Sequence, residues 1–143
     1  MDSNHFFNLA QEYAHKNGAY FTNQFENLEN AKIHEKTTGP EIYKQTNGLV
    51  DCFICGGGTG GTLAGVSQYL KRKNPNIKVV LADPEGSGLF NKVKFDVLFT
   101  NQEKEGHRLK NPFDTVVEGV GLNRVTANFE KASIDDAYKV NDE

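Results

Sequence analysis

The sequence predicts an α/β fold, a three-layer, mostly parallel sheet with flanking helices. Three observations lead there. Residues 49–54 are short, apolar and rich in strand formers, and residues 77–82 form a second such run that closes at Asp83-Pro84. Between them, residues 63–73 carry apolar side chains at the spacing of an amphipathic helix. Strand, helix and strand in that order make a βαβ unit, whose two strands run parallel.

The flanking elements follow in chain order. Ser3 can cap a first helix whose residues Phe6, Phe7, Leu9, Ala10, Tyr13 and Ala14 cover one broad face, and Asn17-Gly18 stops it. Residues 19–22 read as a short strand, and residues 23–36 as polar, irregular chain. Thr38-Gly39-Pro40-Glu41 fits a capping box with proline in the first turn, opening a helix over residues 40–45 that ends at Asn47-Gly48. Lys71, Arg72 and Lys73 fall in the last turn of the central helix, where cations complement its dipole, and Pro75 forbids continuation. Beyond Gly86-Ser87-Gly88, residues 95–99 read as a strand and residues 100–112 as a charged loop. Val116-Val117-Glu118-Gly119-Val120-Gly121 is a second glycine-bearing turn, residues 137–140 are a strand, and Asn141-Asp142-Glu143 resembles the opening of a helix.

Composition excludes several classes. A chain of 143 residues suffices for one domain with a real core, and a net charge of −3 gives no electrostatic case for nucleic acid. The longest apolar run, residues 49–55, includes Asp51 and is far too short for a membrane span. No basic, apolar leader opens the chain, and the compartment is left unknown by the sequence: cytoplasmic by default, mitochondrial if a transit segment precedes Met1. Cys52 and Cys55 have C-x-x-C spacing, but residues three apart on a strand point to opposite faces. They are expected to be buried strand cysteines. His5, His15, His34 and His107 show no ligand spacing, and no metal site is expected.

The chemistry concentrates in Cys55-Gly56-Gly57-Gly58-Thr59-Gly60-Gly61-Thr62, between the first strand and its helix. A strand that turns through glycines into a helix presents free backbone N–H groups at the positive end of the helix dipole, where phosphate binds. Thr59 and Thr62 add hydroxyls at the same place. The amides of Gly60, Gly61 and Thr62 are therefore expected to converge, unbonded, on one point. Gly56, Gly58 and Gly61 also satisfy the dinucleotide fingerprint G-x-G-x-x-G, with Asp83 at the end of the next strand as a ribose ligand. A nicotinamide-dinucleotide domain is the rival reading.

Three further stretches weigh against the rival. Asn23-Gln24-Phe25-Glu26-Asn27, His34-Glu35-Lys36-Thr37-Thr38-Gly39-Pro40-Glu41-Ile42 and Gly58-Thr59-Gly60-Gly61-Thr62 resemble, in order and spacing, the cysteine synthase (O-acetylserine sulfhydrylase) family. Glu118-Gly119-Val120-Gly121 is similar to the glycine turn of that family and of its relative cystathionine β-synthase. The resemblance covers nearly the whole chain and is weakest between residues 90 and 114. It implies a tryptophan-synthase-β-like, fold-type-II enzyme that uses pyridoxal 5′-phosphate and replaces the β-acetate of O-acetylserine with sulfide to give cysteine. Serine plus a thiol, as in cystathionine β-synthase, is the alternative within the class. The resemblance assigns the cofactor phosphate to Gly58, Thr59, Gly60, Gly61 and Thr62 and places Gly119 near the cofactor. It has Gln24 binding the substrate carboxylate with Phe25 beside it, and His34 near the entrance. Asp83 becomes an ordinary strand-end residue and Thr38 a helix cap. The complete enzyme is implied to be a homodimer.

The resemblance also shows what the 143 residues lack. The family's Schiff-base lysine sits in a Ser-x-Lys-Asp-like motif, and no lysine here has that context. The Ser/Thr-x-Gly-Asn-x-Gly-like substrate loop is absent, and the serine that meets the pyridine nitrogen would lie beyond Glu143. Residues 1–143 are thus expected to be part of a cofactor-binding large domain, without catalytic competence alone. A non-catalytic partner of a full-length relative is the third reading.

Overall fold

In the computed structural model of the chain, the described residues are 5–99, 103–104, 107–108 and 116–142. In order the elements are α1 (Phe6–Asn17), α2 (Glu29–Lys36), α3 (Thr38–Gln45), β1 (Cys52–Gly56), α4 (Gly61–Lys73), β2 (Lys78–Pro84), α5 (Leu89–Phe95), β3 (Glu103–Lys104), β4 (His107–Arg108) and β5 (Asp136–Val140). A 3₁₀ turn spans Phe129–Lys131. The main sheet has the order β1-β2-β5 with every pairing parallel. Beside it, β3 and β4 form a two-residue antiparallel pair within the segment expected to be a loop.

The predicted βαβ unit is the middle of the structure. Val79 and Leu81 of β2 alternate with half-buried Val80 and Ala82, and both are fully buried. Leu63 of α4, Leu89 of α5, Phe129 and Ala137 pack on them as one core. Val66 and Leu70, one turn apart on α4, join Ile77 in a second cluster against Ile42 and Tyr43 of α3. No helix among the described residues is long and apolar enough to cross a membrane.

Several local expectations need correction. Residues 19–22 form no strand, although Phe21 packs edge-on against Phe7 at 5.2 Å between centroids. Part of the stretch expected to be irregular is α2. Its helical state comes from tertiary packing, because Ala31 is buried against α4 at Gly65. Residues 95–99 are not a strand. Phe95 ends α5, which starts where the Asp83 carboxylate accepts from Phe90 N at 2.8 Å and Ser87 Oγ from Leu89 N at 3.3 Å. The cap expected from Ser3 lies outside the described residues, and the observed N-cap of α1 is His5, whose Nδ1 accepts from Phe7 N. Thr38 is not a cap. The helix begins at Thr38 itself, with Thr37 as N-cap and no side-chain bond there. Asn141 and Asp142 are not helical.

The cysteines also differ from expectation. Cys52 is exposed and Cys55 half-buried, because β1 lies at the edge of the sheet. Their opposite facing holds: Cys52 and Ile54 are exposed, whereas Phe53 and Cys55 are half-buried. Burial pushes the Cys55 thiol above its ordinary range, which keeps it protonated and a poor nucleophile.

Candidate phosphate site at the start of α4

β1 ends at Gly56 and the chain turns through Gly57, Gly58, Thr59 and Gly60 into α4. Gly60, the N-cap, has φ +86°, a left-handed conformation that side-chain-bearing residues rarely adopt. A Cβ there would also lie 2.6 Å from the backbone of Phe129. The turn is held from behind by Thr126, fully buried, whose hydroxyl donates to Thr59 O at 2.7 Å and accepts from Phe129 N at 3.0 Å.

Among the described residues, the amides of Gly60 and Thr62 meet no protein acceptor, as expected for the first turn of a helix. Gly61 departs from the expectation. Its N–H reaches Thr59 Oγ1 at 3.3 Å, a long bond that ties it to the turn itself. Two free amides and one partly engaged amide therefore face the positive end of α4.

The two threonine hydroxyls are fixed by α2, a helix within the stretch expected to be irregular. Asn30 and His34 lie one turn apart on that helix. Asn30 Nδ2 donates to Gln24 O at 2.8 Å and to Thr59 Oγ1 at 2.9 Å. His34 Nε2 meets Thr62 Oγ1 at 3.2 Å, and its Nδ1 meets Thr38 Oγ1 at 2.8 Å. Both reach α4 because glycines on its facing side leave no Cβ in the way. At Gly61 a Cβ would collide with the Asn30 carboxamide, and at Gly65 it would sit 2.6 Å from Glu35 N and 2.7 Å from His34 Cβ.

The other expected site residues arrive from two directions. Asn128, fully buried, donates to Gln24 O, Phe25 O and Asn27 O at 2.8–3.2 Å and accepts from Ala31 N, so it clamps the Gln24–Phe25 turn beside the glycine turn. Gln24 and Phe25 also line a cavity of about 190 Å³ with Phe6, Phe7 and Phe21. The Arg124 guanidinium covers the Phe25 ring at 4.8 Å and pairs with Glu26. Burial works against ionisation of Glu26, but the bonds from Arg124 and from Ala127 N outweigh it and hold the carboxyl below its usual range. From the far side, Gly119 O occupies the place where a Gly58 side chain would begin, and Gly121 N donates to Gly57 O at 2.8 Å. The Gly119 Cβ position itself opens onto empty space.

Asp83 removes the rival dinucleotide reading. Its side chain is fully buried, with Oδ2 bonded to Phe90 N and 3.3 Å from Lys139 Nζ. A carboxylate enclosed in this way cannot reach a ribose hydroxyl. Asn30, Thr126 and Asn128 had no signal in the sequence, since their partners lie 29, 67 and about 100 residues away.

Comparison with known proteins gives a consistent result. The family described as pyridoxal-phosphate dependent enzyme matches residues 2–143. Cysteine synthase 2 of Emericella nidulans is 55% identical over 125 residues, covering 86% of this chain and 29% of the relative. Cysteine synthase 2 of Schizosaccharomyces pombe is 51% identical over 153 residues, covering 100% of this chain and 39% of the relative. The chain thus spans about a third of the length of these relatives. Among solved structures, the O-acetylserine dependent cystathionine β-synthase of Helicobacter pylori is 30% identical with a TM-score of 0.71, covering 92% of this chain and 38% of that one.

Proposed function

The chain belongs to the family of pyridoxal-phosphate dependent enzymes, and from that premise we propose that it forms the phosphate-holding part of a β-replacement enzyme. The enzyme makes cysteine and acetate from O-acetylserine and sulfide, the activity that the names of its cysteine synthase relatives suggest. The observation that carries the reading is the start of α4, where the free amides of Gly60 and Thr62 and the Thr59 and Thr62 hydroxyls lie together. Gly58 and Gly60, where side chains would strike Gly119 and Phe129, keep the turn tight enough to present them. The residues fit a phosphate ester: backbone N–H groups and two hydroxyls, each with a proton to donate, at the positive end of a helix dipole.

In this reading Gly58, Thr59, Gly60, Gly61 and Thr62 hold the cofactor phosphate and Gly119 borders the cofactor ring across the opening. Gln24 binds the substrate carboxylate, with Phe25 as its apolar neighbour. The bound cofactor supplies an electron sink for the substrate α-carbon, which lets a β-substituent leave. Residues 1–143 act as part of the cofactor-binding large domain of a homodimeric enzyme. No lysine here has the context of the one that moves the α-proton in such enzymes, so the chain alone binds without turnover.

A chimera tests the reading: these 143 residues replace the matching segment of the Schizosaccharomyces pombe relative, and cysteine formation is assayed from O-acetylserine and sulfide. The chimera should be active and the isolated chain inactive. A chimera active only with serine and a thiol would instead favour the second reading, cystathionine β-synthase-like chemistry. The Helicobacter pylori structure, an O-acetylserine dependent cystathionine β-synthase by its name, lends that reading its product but not serine as the substrate. Turnover by the isolated chain, abolished by replacing one lysine, would overturn the claim that it lacks catalytic competence.

A further inference from the structure

We propose that Asn30 and His34 are positioning residues that turn the Thr59 and Thr62 hydroxyls outward, so that both donate a proton to the phosphate at the start of α4. The proposal rests on the phosphate reading above and adds the residues that orient its donors.

At Thr59 the direction of each hydrogen bond is fixed by its partners. Gln24 O is a carbonyl and can only accept, so the Asn30 atom 2.8 Å from it must be the amide nitrogen. That nitrogen has two protons, and the second points at Thr59 Oγ1, 2.9 Å away. Thr59 Oγ1 also accepts from Gly61 N at 3.3 Å. A hydroxyl oxygen accepts twice and donates once. With both acceptor positions taken, the Thr59 proton must point elsewhere, and no described residue accepts it.

At Thr62 the same outcome depends on the tautomer of His34. A neutral imidazole donates from one nitrogen and accepts at the other. If Nε2 carries the proton, it donates to Thr62 Oγ1 at 3.2 Å while Nδ1 accepts from the Thr38 hydroxyl at 2.8 Å. The Thr62 proton is then free to leave toward the phosphate. In the other tautomer Thr62 donates to His34 and turns its lone pairs toward the anion, which repels them. A phosphate at this site therefore selects the Nε2–H form, and Thr38 serves as the donor that holds it. The two positioning residues are four apart on α2, so one helix face sets both hydroxyls.

The test uses pyridoxine 5′-phosphate and pyridoxine, which lack the aldehyde and form no imines with surface lysines. Their affinities for the 143-residue chain are measured by calorimetry, and the ratio isolates the phosphate. Asn30→Ala and His34→Leu should each lower that ratio about tenfold, the value of one hydrogen bond to a charged group, and leave pyridoxine binding unchanged. In a Thr62→Val background, His34→Leu should have no further effect, because His34 acts through Thr62. His34→Gln, which can still donate to Thr62, should recover part of the loss. Nitrogen-15 spectra of the ring should show Nε2–H in the bound wild type, a readout that needs no variant to fold. Bound wild type with Nδ1–H, or variants with an unchanged ratio, would overturn the proposal alone. If the wild type itself does not prefer the phosphate ester, the phosphate reading fails and this proposal falls with it.

Discussion

Gly60 and Gly119 both have positive φ, at +86° and +77°, but their surroundings differ. Gly60→Ala adds a Cβ that strikes the Phe129 backbone, whereas Gly119→Ala meets open space. The second substitution should cost only the conformational term, about 1 kcal/mol, and the first clearly more, about 3 kcal/mol. Urea unfolding midpoints measure both, and equal costs would contradict the packing described here. Asp135 predicts a pH dependence. Its bond from Lys71 is the main cause that holds its carboxyl below the usual range; burial opposes this, and Val79 N adds to it. A folded value below the unfolded one, about 3.9, means that its contribution is complete above that pH. The contribution is lost as pH falls through the folded value. Asp135→Asn should therefore lower stability near neutral pH and flatten the acid limb of the stability profile. An unchanged limb would show that the Lys71 pairing does not act in solution.

Among the elements, α2 decides whether the site is assembled, and Asn128 holds the segment leading into it. Asn128→Ala leaves three carbonyls and Ala31 N without their shared partner and should destabilise the chain by about 3 kcal/mol. Amide hydrogen exchange should rise first in residues 24–31. A uniform rise across the sheet would point instead to global loosening. The contrast between α2 and α4 also explains what could be read from sequence. α4 announces itself by Leu63, Val66 and Leu70 on one face and by the glycines before it. α2 buries only Ala31, and its remaining signal is polar, so no apolar stripe marks it. Residues 89–95 are helical because Asp83 caps Phe90, a partner seven residues away that local propensity does not reveal. The glycine turn, Gln24, Phe25 and Gly119 were legible as motifs. Of the residues that hold them in place His34 stood in a motif, whereas Asn30, Thr126 and Asn128 had none, since they act across long separations.

In the molecule as a whole, the sheet is left with uncovered apolar surface. In the register of the strands Ile54, Val80 and Asp136 align, as do Ala82 and Tyr138. Ile54 and Tyr138 on that face are 64% and 59% exposed, and Phe6 and Tyr13 of α1 are 65% and 66% exposed. Apolar surface of this extent binds hydrophobic dye and promotes association. The isolated chain should show strong dye fluorescence that falls on unfolding; a soluble monomer with a sharp melt and no dye binding would contradict this. The central claim is that the turn from Gly58 to Thr62 holds the cofactor phosphate. Its most direct test is a titration of nitrogen-15-labelled chain with pyridoxine 5′-phosphate, followed by amide chemical shifts. The account predicts the largest changes at Gly58, Thr59, Gly60, Gly61 and Thr62, with a smaller response at Gly119, and a much weaker response of the turn to pyridoxine at the same concentration. Changes confined to other residues, or unmoved Gly60 and Thr62 amides at saturation, would contradict it.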